Sequence, residues 1–465
     1  MNTKVVNHFL SDQGSFSEQA WSGSGQLELL EVKGRRVHLG FSHDRLSSDG
    51  GALLLREVDN QIGLLRELSA AISDQRDKRY VSHDISSMLA QRVYQIACGY
   101  EDSNDCNELR HDVVMKLCAG RLPVSGDALA SQPTMSRLEN SVSRTDLLRM
   151  AYVLARRFIA SYDTEPKAIV LDFDDTNNNT YGNQQLSLFN RYYDEYCYMP
   201  LHLYEGFSGK LITTILRPGK RMKHAFLTAL VKRVFRYIRQ YWPQTLIIVR
   251  GDSHFCAAGM INWIEEQPGA YFVTGLNASV RLKKAVEPMV AAAGEAFANH
   301  GKEVVRYHRF DYQSTNWANQ QQVIAKITAN DRGTQIRFIV SNLPLKTREL
   351  YEKAYCQRCT MELYIRDHKT YLRSDRSSCH RFEANQFRLL LHSAAYVLID
   401  TLRRQVLKGP LARATMKTIQ LKLLKVATKV KELKTKIKIE LPIDFPRKAQ
   451  FETAIRIFQC LNAGP

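Results

Sequence analysis

Residues 168–175 read AIVLDFDD, a short apolar run that ends in carboxylates. A proline precedes the run and a cluster of asparagines follows it, which is the pattern of a buried β-strand between two loops. Because side chains alternate along a strand, Asp172 and Asp174 share one face while Asp175 points to the other. The stretch predicts a core strand that carries carboxylates at its C-terminal end.

The residues that follow predict a sheet around this strand. Two strand-like runs joined by a Ser-Gly turn come first, and an amphipathic helix, a second buried strand, a helix and a last strand come after them. The strands are expected at 200–206, 211–219, 245–249 and 270–276, and the first helix at 224–241. Strands and helices in this alternation predict an α/β fold class with a mixed sheet.

The residues before the strand have a helical pattern. From Gly50 to about Ile159, apolar residues recur at three- and four-residue spacing, which predicts a helical N-terminal domain within residues 1–159, interpreted as a DNA-binding domain. Within it, Pro133 lies just inside a predicted helix start, and Arg137 projects from the polar side of that helix. Two interpretations stay open for this helix: contact with DNA, or a solvated polar face.

The residues after the sheet predict an insertion. Three runs between about 280 and 345 alternate as antiparallel strands do, which predicts a small β-rich insertion at 280–346. It separates two parts of one core, 160–279 and 347–408, and the second part is helical. The last segment, 409–465, carries apolar residues at helical spacing beneath many lysines, which predicts a basic helical C-terminal region.

The charge of the chain points to a polyanionic partner. Lys and Arg outnumber Asp and Glu by 65 to 47, a net charge of +18, and residues 401–450 supply 14 Lys/Arg against 3 Asp/Glu. A surplus of this size favours nucleic acid or an anionic membrane. No run reaches the ~18 apolar residues of a spanning helix, and the start lacks a signal-peptide pattern. We therefore expect a cytoplasmic, nucleoid-associated protein that does not bind membranes.

The cysteines predict reduced thiols. There are nine, an odd number, which fits free thiols better than a disulfide framework. Cys356 and Cys359 form a CxxC, and a Cys-His pair follows at 379–380, which raises the alternative of a zinc site. The CxxC lies in a helical segment that has no turn to fold two thiolates around a metal, so no zinc is expected.

Three acidic positions could act together. Asp174 ends one buried strand, Asp252 follows the next, and Glu362 lies on a helical segment. Catalytic residues concentrate at the carboxyl ends of strands in such sheets, and oxygen ligands suit Mg²⁺. Two such ions can activate a water and stabilise the leaving oxygen in phosphodiester cleavage. Each residue also has a structural interpretation, as a turn former, a helix cap or the helical ion-pair partner of Arg358.

The stretch around Glu362, YCQRCTMELYIRDHK at 355–369, repeats this ambiguity. Tyr355, Arg358, Glu362 and Lys369 fall within roughly 60° of each other on a helix. They form either a salt-bridged surface stripe or a carboxylate amid groups that hold phosphates.

These four residues match the Tyr-x2-Arg-x3-Glu-x6-Lys signature of one branch of bacterial insertion-sequence DDE transposases. More narrowly, the chain resembles insertion-sequence family thirteen-eighty. The stretches that carry the resemblance are GYEDSND, LASQPTMSRLEN, LDFDDT, YMPLHLYEGFSGKLITTILRPG, IIVRGDSHF and SSCHRFEANQFRLLLHSAAYVL. The resemblance covers roughly residues 40–405.

The resemblance implies a ribonuclease-H-like catalytic core with a β-rich insertion between the second aspartate and the glutamate. Asp174, Asp252 and Glu362 would be the catalytic triad that ligates two Mg²⁺ or Mn²⁺ ions, with Asp172 as a supporting ligand. The family's first aspartate usually lies two residues before a threonine, which selects Asp174, although Asp175 directly adjoins that threonine.

The resemblance also implies contacts with DNA. Tyr355, Arg358 and Lys369 would bind phosphates of the transposon end. Further candidates for the DNA backbone surround a Pro-Gly turn, where a solvated turn is the alternative: Arg217, Lys220 and Arg221. Phosphate contacts of this kind would dominate affinity and depend on salt.

The leading hypothesis is a mobile-element transposase that binds the terminal inverted repeats of its own insertion sequence. It would cleave the DNA ends and join the freed 3′-hydroxyls to target DNA, and the resemblance implies a homodimer on double-stranded DNA in a synaptic complex. Two alternatives stay open: a metal-dependent nuclease of the same fold that does not join ends, and a catalytically inactive, domesticated DNA-binding protein.

Overall fold

The computed structural model describes residues 27–462. The chain divides into two compact units, Met1–Arg45 and Leu46–Pro465. In the first unit the described residues form an antiparallel hairpin of β1 (Leu27–Val32) and β2 (Arg35–Leu39). Lys33 and Gly34 connect the strands with positive φ at both positions, as a tight hairpin turn requires. The predicted lack of a signal peptide concerns residues outside the described range.

The second unit begins with a short strand, β3 (Leu46–Ser47), and then with the helical segment that the sequence predicts. Its helices are α1 (Ala52–Ile62), α2 (Leu64–Ala70), α3 (Ile85–Ala97), α4 (Asp105–Leu109), α5 (Val113–Cys118), α6 (Gln132–Ser141) and α7 (Arg144–Ala160), with a 3₁₀ turn at Lys78–Tyr80. Pro133 is the second residue of α6, as predicted. Ser143 and Asp146 form a capping box that fixes the start of α7.

The core strands follow. In chain order the elements are β4 (Ala168–Asp175), β5 (Asn178–Asn179), β6 (Leu188–Asn190), β7 (Glu195–Tyr198), β8 (Leu201–Glu205), β9 (Leu211–Ile215), α8 (His224–Arg239), β10 (Leu246–Gly251), α9 (Ala258–Glu265) and β11 (Ala270–Leu276). β4 is antiparallel to β8, and β8 is antiparallel to β9. β10 runs parallel to both β4 and β11, so the predicted mixed sheet is confirmed.

The three strands of the predicted insertion are also present, but they extend the core sheet. Two helices precede them, α10 (Val280–Ala285) and α11 (Glu287–His300), followed by β12 (Val304–Tyr312), β13 (Gln321–Asn330) and β14 (Gly333–Ser341). β14 pairs with β11, which gives one eight-stranded sheet in the order β12-β13-β14-β11-β10-β4-β8-β9. The last four residues of β14 are all buried, as expected of a strand covered on both faces.

A long helical segment follows the sheet. It runs from α12 (Thr347–Glu349) through a π-helical stretch (Leu350–Tyr355) and a 3₁₀ turn (Cys356–Arg358) into α13 (Cys359–Arg366), and ends in a second π-helical stretch (Asp367–Tyr371). Next comes α14 (Phe382–Thr401), which continues as a π-helical turn (Leu402–Val406). α14 packs on α3, α7 and β9, so the N-terminal helices share one hydrophobic cluster with α14 and with residues of β8 and β9. Neither α14 nor any other helix between residues 27 and 462 is long and apolar enough to cross a membrane.

The predicted helical structure of the basic tail is wrong for its middle part, residues 428–440, which forms two strands. The tail forms a 3₁₀ turn (Gly409–Arg413), α15 (Met416–Ile419) with a π-helical end (Gln420–Leu424), β15 (Thr428–Glu432), β16 (Ile437–Glu440) and α16 (Lys448–Asn462). Thr428 and Val430 are buried while Lys429 and Lys431 are more exposed, which is the two-residue period of a strand. β15 pairs with β16 on one side and with β3 on the other.

Candidate active site

Two predicted aspartates lie side by side at the C-terminal ends of two central strands. β4 and β10 pair in parallel, and Arg250 is opposite Asp172 in their register. Asp174 lies two residues after Asp172, and Asp252 lies two residues after Arg250. The two aspartates therefore lie at matching positions on neighbouring strands, which are about 4.8 Å apart. The two carboxylates interact, because the charge of Asp252 raises the pKa of Asp174.

The environment of Asp174 disfavours an isolated negative charge. Burial raises its pKa to about 7, although Arg358 opposes the shift, and the charges of Asp252 and Asp175 add to it. Its side chain is only 16% exposed. Crowded, desolvated carboxylates gain stability from a nearby cation, and such groups cluster at functional sites.

Asp252 combines a structural role with exposure. Its Oδ1 accepts a hydrogen bond of 2.7 Å from the backbone N–H of His254, so it caps the 3₁₀ turn Ser253–Phe255. The predicted cap is therefore present, on this turn and not on α9. The side chain remains 29% exposed, and His254 Nδ1 lies 3.7 Å from its other oxygen. One carboxylate oxygen stays available on the solvent side.

The structure does not support Asp172 as a supporting metal ligand. Arg250 donates from Nε to Oδ1 at 2.5 Å and from Nη2 to Oδ2 at 2.6 Å, so both carboxylate oxygens are occupied. Neither side chain is more than 3% exposed. Arg250 Nη1 also donates to the carbonyl of Ala354 at 2.6 Å. This buried ion pair joins β4, β10 and the segment that carries Tyr355.

Arg250 is the residue that the sequence interpretation missed. An arginine inside the apolar run TLIIVRG faces the interior, and a buried charge requires a partner. That requirement is a signal that can be read from the sequence, since Asp172 occupies the same place in the other buried strand.

The cations of the signature bind the end of β4. Arg358 Nη1 lies 3.2 Å from Asp174 Oδ2. Lys369 Nζ donates to Thr176 Oγ1 at 3.0 Å and also to Asn177. Glu362 lies between these two cations on the same segment, and its side chain is exposed.

Tyr355 lies against the backbone next to Asp252. Burial raises the pKa of the Tyr355 hydroxyl. The charge of Arg358 opposes this shift, and the charge of Asp252 adds to it. Gly275 makes this approach possible, because a β-carbon there would lie 2.9 Å from the Tyr355 hydroxyl and 2.7 Å from the Ser253 nitrogen. A cleft of about 350 Å³ opens beside these groups, and Lys326 and Arg337 are among the residues that line it.

Gly275→Ala is expected to lower the rate of any reaction at this site by about 10²-fold, because displacements near 1 Å at a reacting centre have effects of this size. The added methyl group would push Tyr355 and the Asp252–Ser253 backbone apart. Gly294→Ala is the matched control, since its β-carbon meets only Thr334 Oγ1 at 3.9 Å. Single-turnover rates measure the effect, and equal rates for both variants would refute it.

The donor set fits a hard divalent cation. Carboxylate oxygens suit Mg²⁺ or Mn²⁺, and the mutual repulsion of Asp174 and Asp252 creates the demand for positive charge. Between residues 27 and 462, however, no three His, Cys, Asp or Glu side chains converge closely enough to hold a metal. The participation of Glu362 therefore stays a prediction.

The remaining candidates divide into buried and exposed residues. Arg217 is buried and ion-paired with Asp175, so it does not belong to a solvated, DNA-facing turn. Lys220 and Arg221 are exposed in the turn before α8. Arg137 is exposed on α6 and donates to Thr134 Oγ1 at 3.1 Å. The thiols at 356 and 359 are free and exposed.

Comparison with known proteins identifies the family. A family model described as "Transposase DDE domain group 1" matches residues 30–463. The structure of a piggyBac transposase synaptic complex with hairpin DNA is similar at 11% sequence identity and a TM-score of 0.39, and the similarity covers 82% of this chain and 83% of that chain. No curated protein matches the chain. Since the family model spans nearly all of the sequence, the chain belongs to the transposases with a DDE domain of group 1.

Proposed function

We propose that this protein is the transposase of a bacterial insertion sequence. It binds the terminal inverted repeats of its element, hydrolyses phosphodiester bonds at the ends and joins the 3′-hydroxyls to target DNA. The observation that carries this proposal is the parallel, in-register pairing of β4 and β10, from which Asp174 and Asp252 emerge together. The segment bearing the complete Tyr-Arg-Glu-Lys signature contacts the same strand end through Arg358.

The proposal includes a ribonuclease-H-like core. It consists of the antiparallel meander β4-β8-β9, followed by α8, β10, α9 and β11, with β10 and β11 parallel to β4. In this arrangement the carboxyl ends of the two central strands lie at one edge, where such sheets carry their catalytic residues. The strands β12–β14 correspond to the insertion between the second aspartate and the glutamate.

Asp174, Asp252 and Glu362 would hold two Mg²⁺ or Mn²⁺ ions. When bound, such ions generate an activated water or 3′-hydroxyl and stabilise the leaving oxygen. Arg358 forms an ion pair with Asp174 in this structure, and its planar guanidinium is suited to a phosphate oxygen pair. Lys369 holds the loop after β4, so it orients Asp174 and adds positive charge where a DNA phosphate would lie.

DNA binding is supported by charge. The net charge of +18 favours a polyanion, and exposed Arg137, Lys220 and Arg221 are suited to backbone phosphates. The proposal includes a homodimer that holds two element ends in a synaptic complex, in the cytoplasm at the nucleoid.

A strand-transfer assay tests the proposal. The full-length protein is mixed with a labelled duplex that carries the terminal inverted repeat and with a supercoiled target plasmid, in Mg²⁺, Mn²⁺ or EDTA. We expect cleavage at the element end and joined products in either metal, and neither in EDTA. Cleaved ends without joined products would make the protein a nuclease, and repeat binding without cleavage in any metal would make it an inactive DNA-binding protein.

A further inference from the structure

An exposed group of aromatic side chains follows the strand that carries Asp174. Residues 178–198 form a small antiparallel sheet in the order β5-β7-β6, here called the aromatic meander. Phe189 and Tyr196 are cross-strand partners with ring centroids 5.5 Å apart, and they are 45% and 61% exposed. Tyr192, in the turn between β6 and β7, is 84% exposed. Large exposed aromatic groups that cluster together indicate a binding surface.

The aromatic meander adjoins the candidate active site. β5 begins three residues after β4 ends, and the N–H of Thr176 between them donates to the carbonyl of Pro200 at 3.1 Å. Tyr193 contacts Tyr192 edge-on, with ring centroids 4.9 Å apart. Burial raises the pKa of Tyr193 to about 12, and the charge of Asp175 contributes. The aromatic meander therefore begins directly after the strand end that carries the carboxylates.

Three exposed cations, Arg191, Lys220 and Arg221, lie on or next to the aromatic meander. Asn190 Nδ2 donates to the carbonyl of Gly219 at 2.7 Å, which fixes the meander to the turn that contains Lys220 and Arg221. A β-carbon at Gly219 would clash with carbonyl oxygens of β6 and β7, so this contact is close. Arg191 adds a further exposed cation next to Tyr192, while the exposed acids Asp194 and Glu195 lie on the β7 side of the same turn.

We propose that the aromatic meander binds unpaired DNA bases beside the active site. Bases stack on Tyr192 and on the Phe189–Tyr196 pair, while Arg191 and the neighbouring cations bind the phosphates. Exposed rings flanked by Lys and Arg are the combination that single-stranded DNA requires, because an unpaired base offers its face whereas a paired base does not. The inference rests on the proposed function for its biological substrate, a strand that runs past Asp174.

Fluorescence anisotropy in EDTA tests the inference with full-length protein. The probes are a labelled oligothymidylate of about 20 nucleotides, longer than one such binding site, and a random-sequence duplex of equal length. The double variant Tyr192→Ala/Tyr196→Ala is expected to bind oligothymidylate at least about tenfold more weakly and to bind the duplex within about twofold of wild type. Tyr192→Phe keeps the ring and should bind like wild type.

Tyr80→Ala is the matched control. Tyr80 is 81% exposed beside Arg79 but lies outside the aromatic meander, so its loss should not change the affinity for oligothymidylate. The inference is overturned if wild-type protein does not bind oligothymidylate, if the double variant binds it normally, or if duplex affinity falls equally. It is also overturned if Tyr192→Phe binds as weakly as the double variant. Because no metal is present, a protein that never cleaves DNA can still pass this test, which separates the inference from the proposed function.

Discussion

Asp174→Asn and Asp252→Asn are each expected to lower the rate of DNA end cleavage by at least about 10³-fold without weakening DNA binding. Asparagine keeps the size of the side chain and removes the charge that holds a divalent cation. Such a cation contributes several kcal/mol of transition-state stabilisation, and each 1.4 kcal/mol is tenfold in rate. Single-turnover cleavage of a duplex carrying the inverted repeat measures the rate, and gel shift in EDTA measures binding.

Asp331→Asn supplies the control, because Asp331 is an exposed aspartate in the turn between β13 and β14. Its variant should cleave at the wild-type rate. Glu362→Gln should lose activity like the aspartate variants if the metal brings all three carboxylates together. A wild-type rate from either strand-end variant would remove that aspartate from the catalytic set.

The stability of Asp174→Asn distinguishes a functional role of Asp174 from a structural one. The pKa of Asp174 is raised to about 7 in the folded protein, against 3.8 as its ordinary value. Its ionisation therefore costs stability as pH rises through the interval between these values. In EDTA at pH 8, Asp174→Asn is expected to unfold at a higher urea concentration than wild type, because the pKa of about 7 already includes the opposing effect of Arg358. Lost activity with retained or increased stability is the pattern of a functional residue.

The elements of the core could be predicted from the sequence because their signals are local. Apolar runs bounded by Pro, Gly and Asn gave the strands, and three-to-four-residue spacing gave the helices. Strand pairing is not local. The predicted insertion proved to be part of the core sheet, since β14 pairs with β11 although two helices and two strands lie between them in the chain. In the tail, the apolar residues around Thr428 fit the two-residue period of a strand as well as helical spacing. Pairing of Thr428 with Ser47, near the other end of the chain, stabilises the strand.

In the candidate site, too, features with local sequence signals could be predicted, and features that depend on tertiary contacts could not. The positions of Asp174 and Asp252 at strand ends could be predicted, and the parallel register then brings them together. The ion-pair partners of the other charged residues could not be predicted, because charged residues are expected at the surface unless the tertiary structure pairs them. Asp172 and Arg217, predicted as a ligand and a DNA contact, both lie in buried ion pairs instead.

The buried pair of Asp172 and Arg250 gives the second large expected effect. Asp172→Asn and Arg250→Met should each lower the free energy of unfolding by about 3–5 kcal/mol, because each leaves one charge buried without its partner. Urea denaturation measures the loss. Glu349→Gln is the control, since it breaks a helical pair with Lys353 in which both side chains are at least 43% exposed, and such pairs contribute less than about 1 kcal/mol.

The double variant Asp172→Leu/Arg250→Met separates folding from positioning. An apolar pair of similar volume often restores the stability of a buried ion pair, so most of the lost free energy should return. End cleavage should not return, because a methionine side chain cannot donate to the carbonyl of Ala354 as Arg250 does, and the segment carrying Tyr355 and Arg358 then loses its link to β10. If cleavage recovers together with stability, the ion pair is structural only. If stability recovers alone, Arg250 positions the signature segment against the two aspartates.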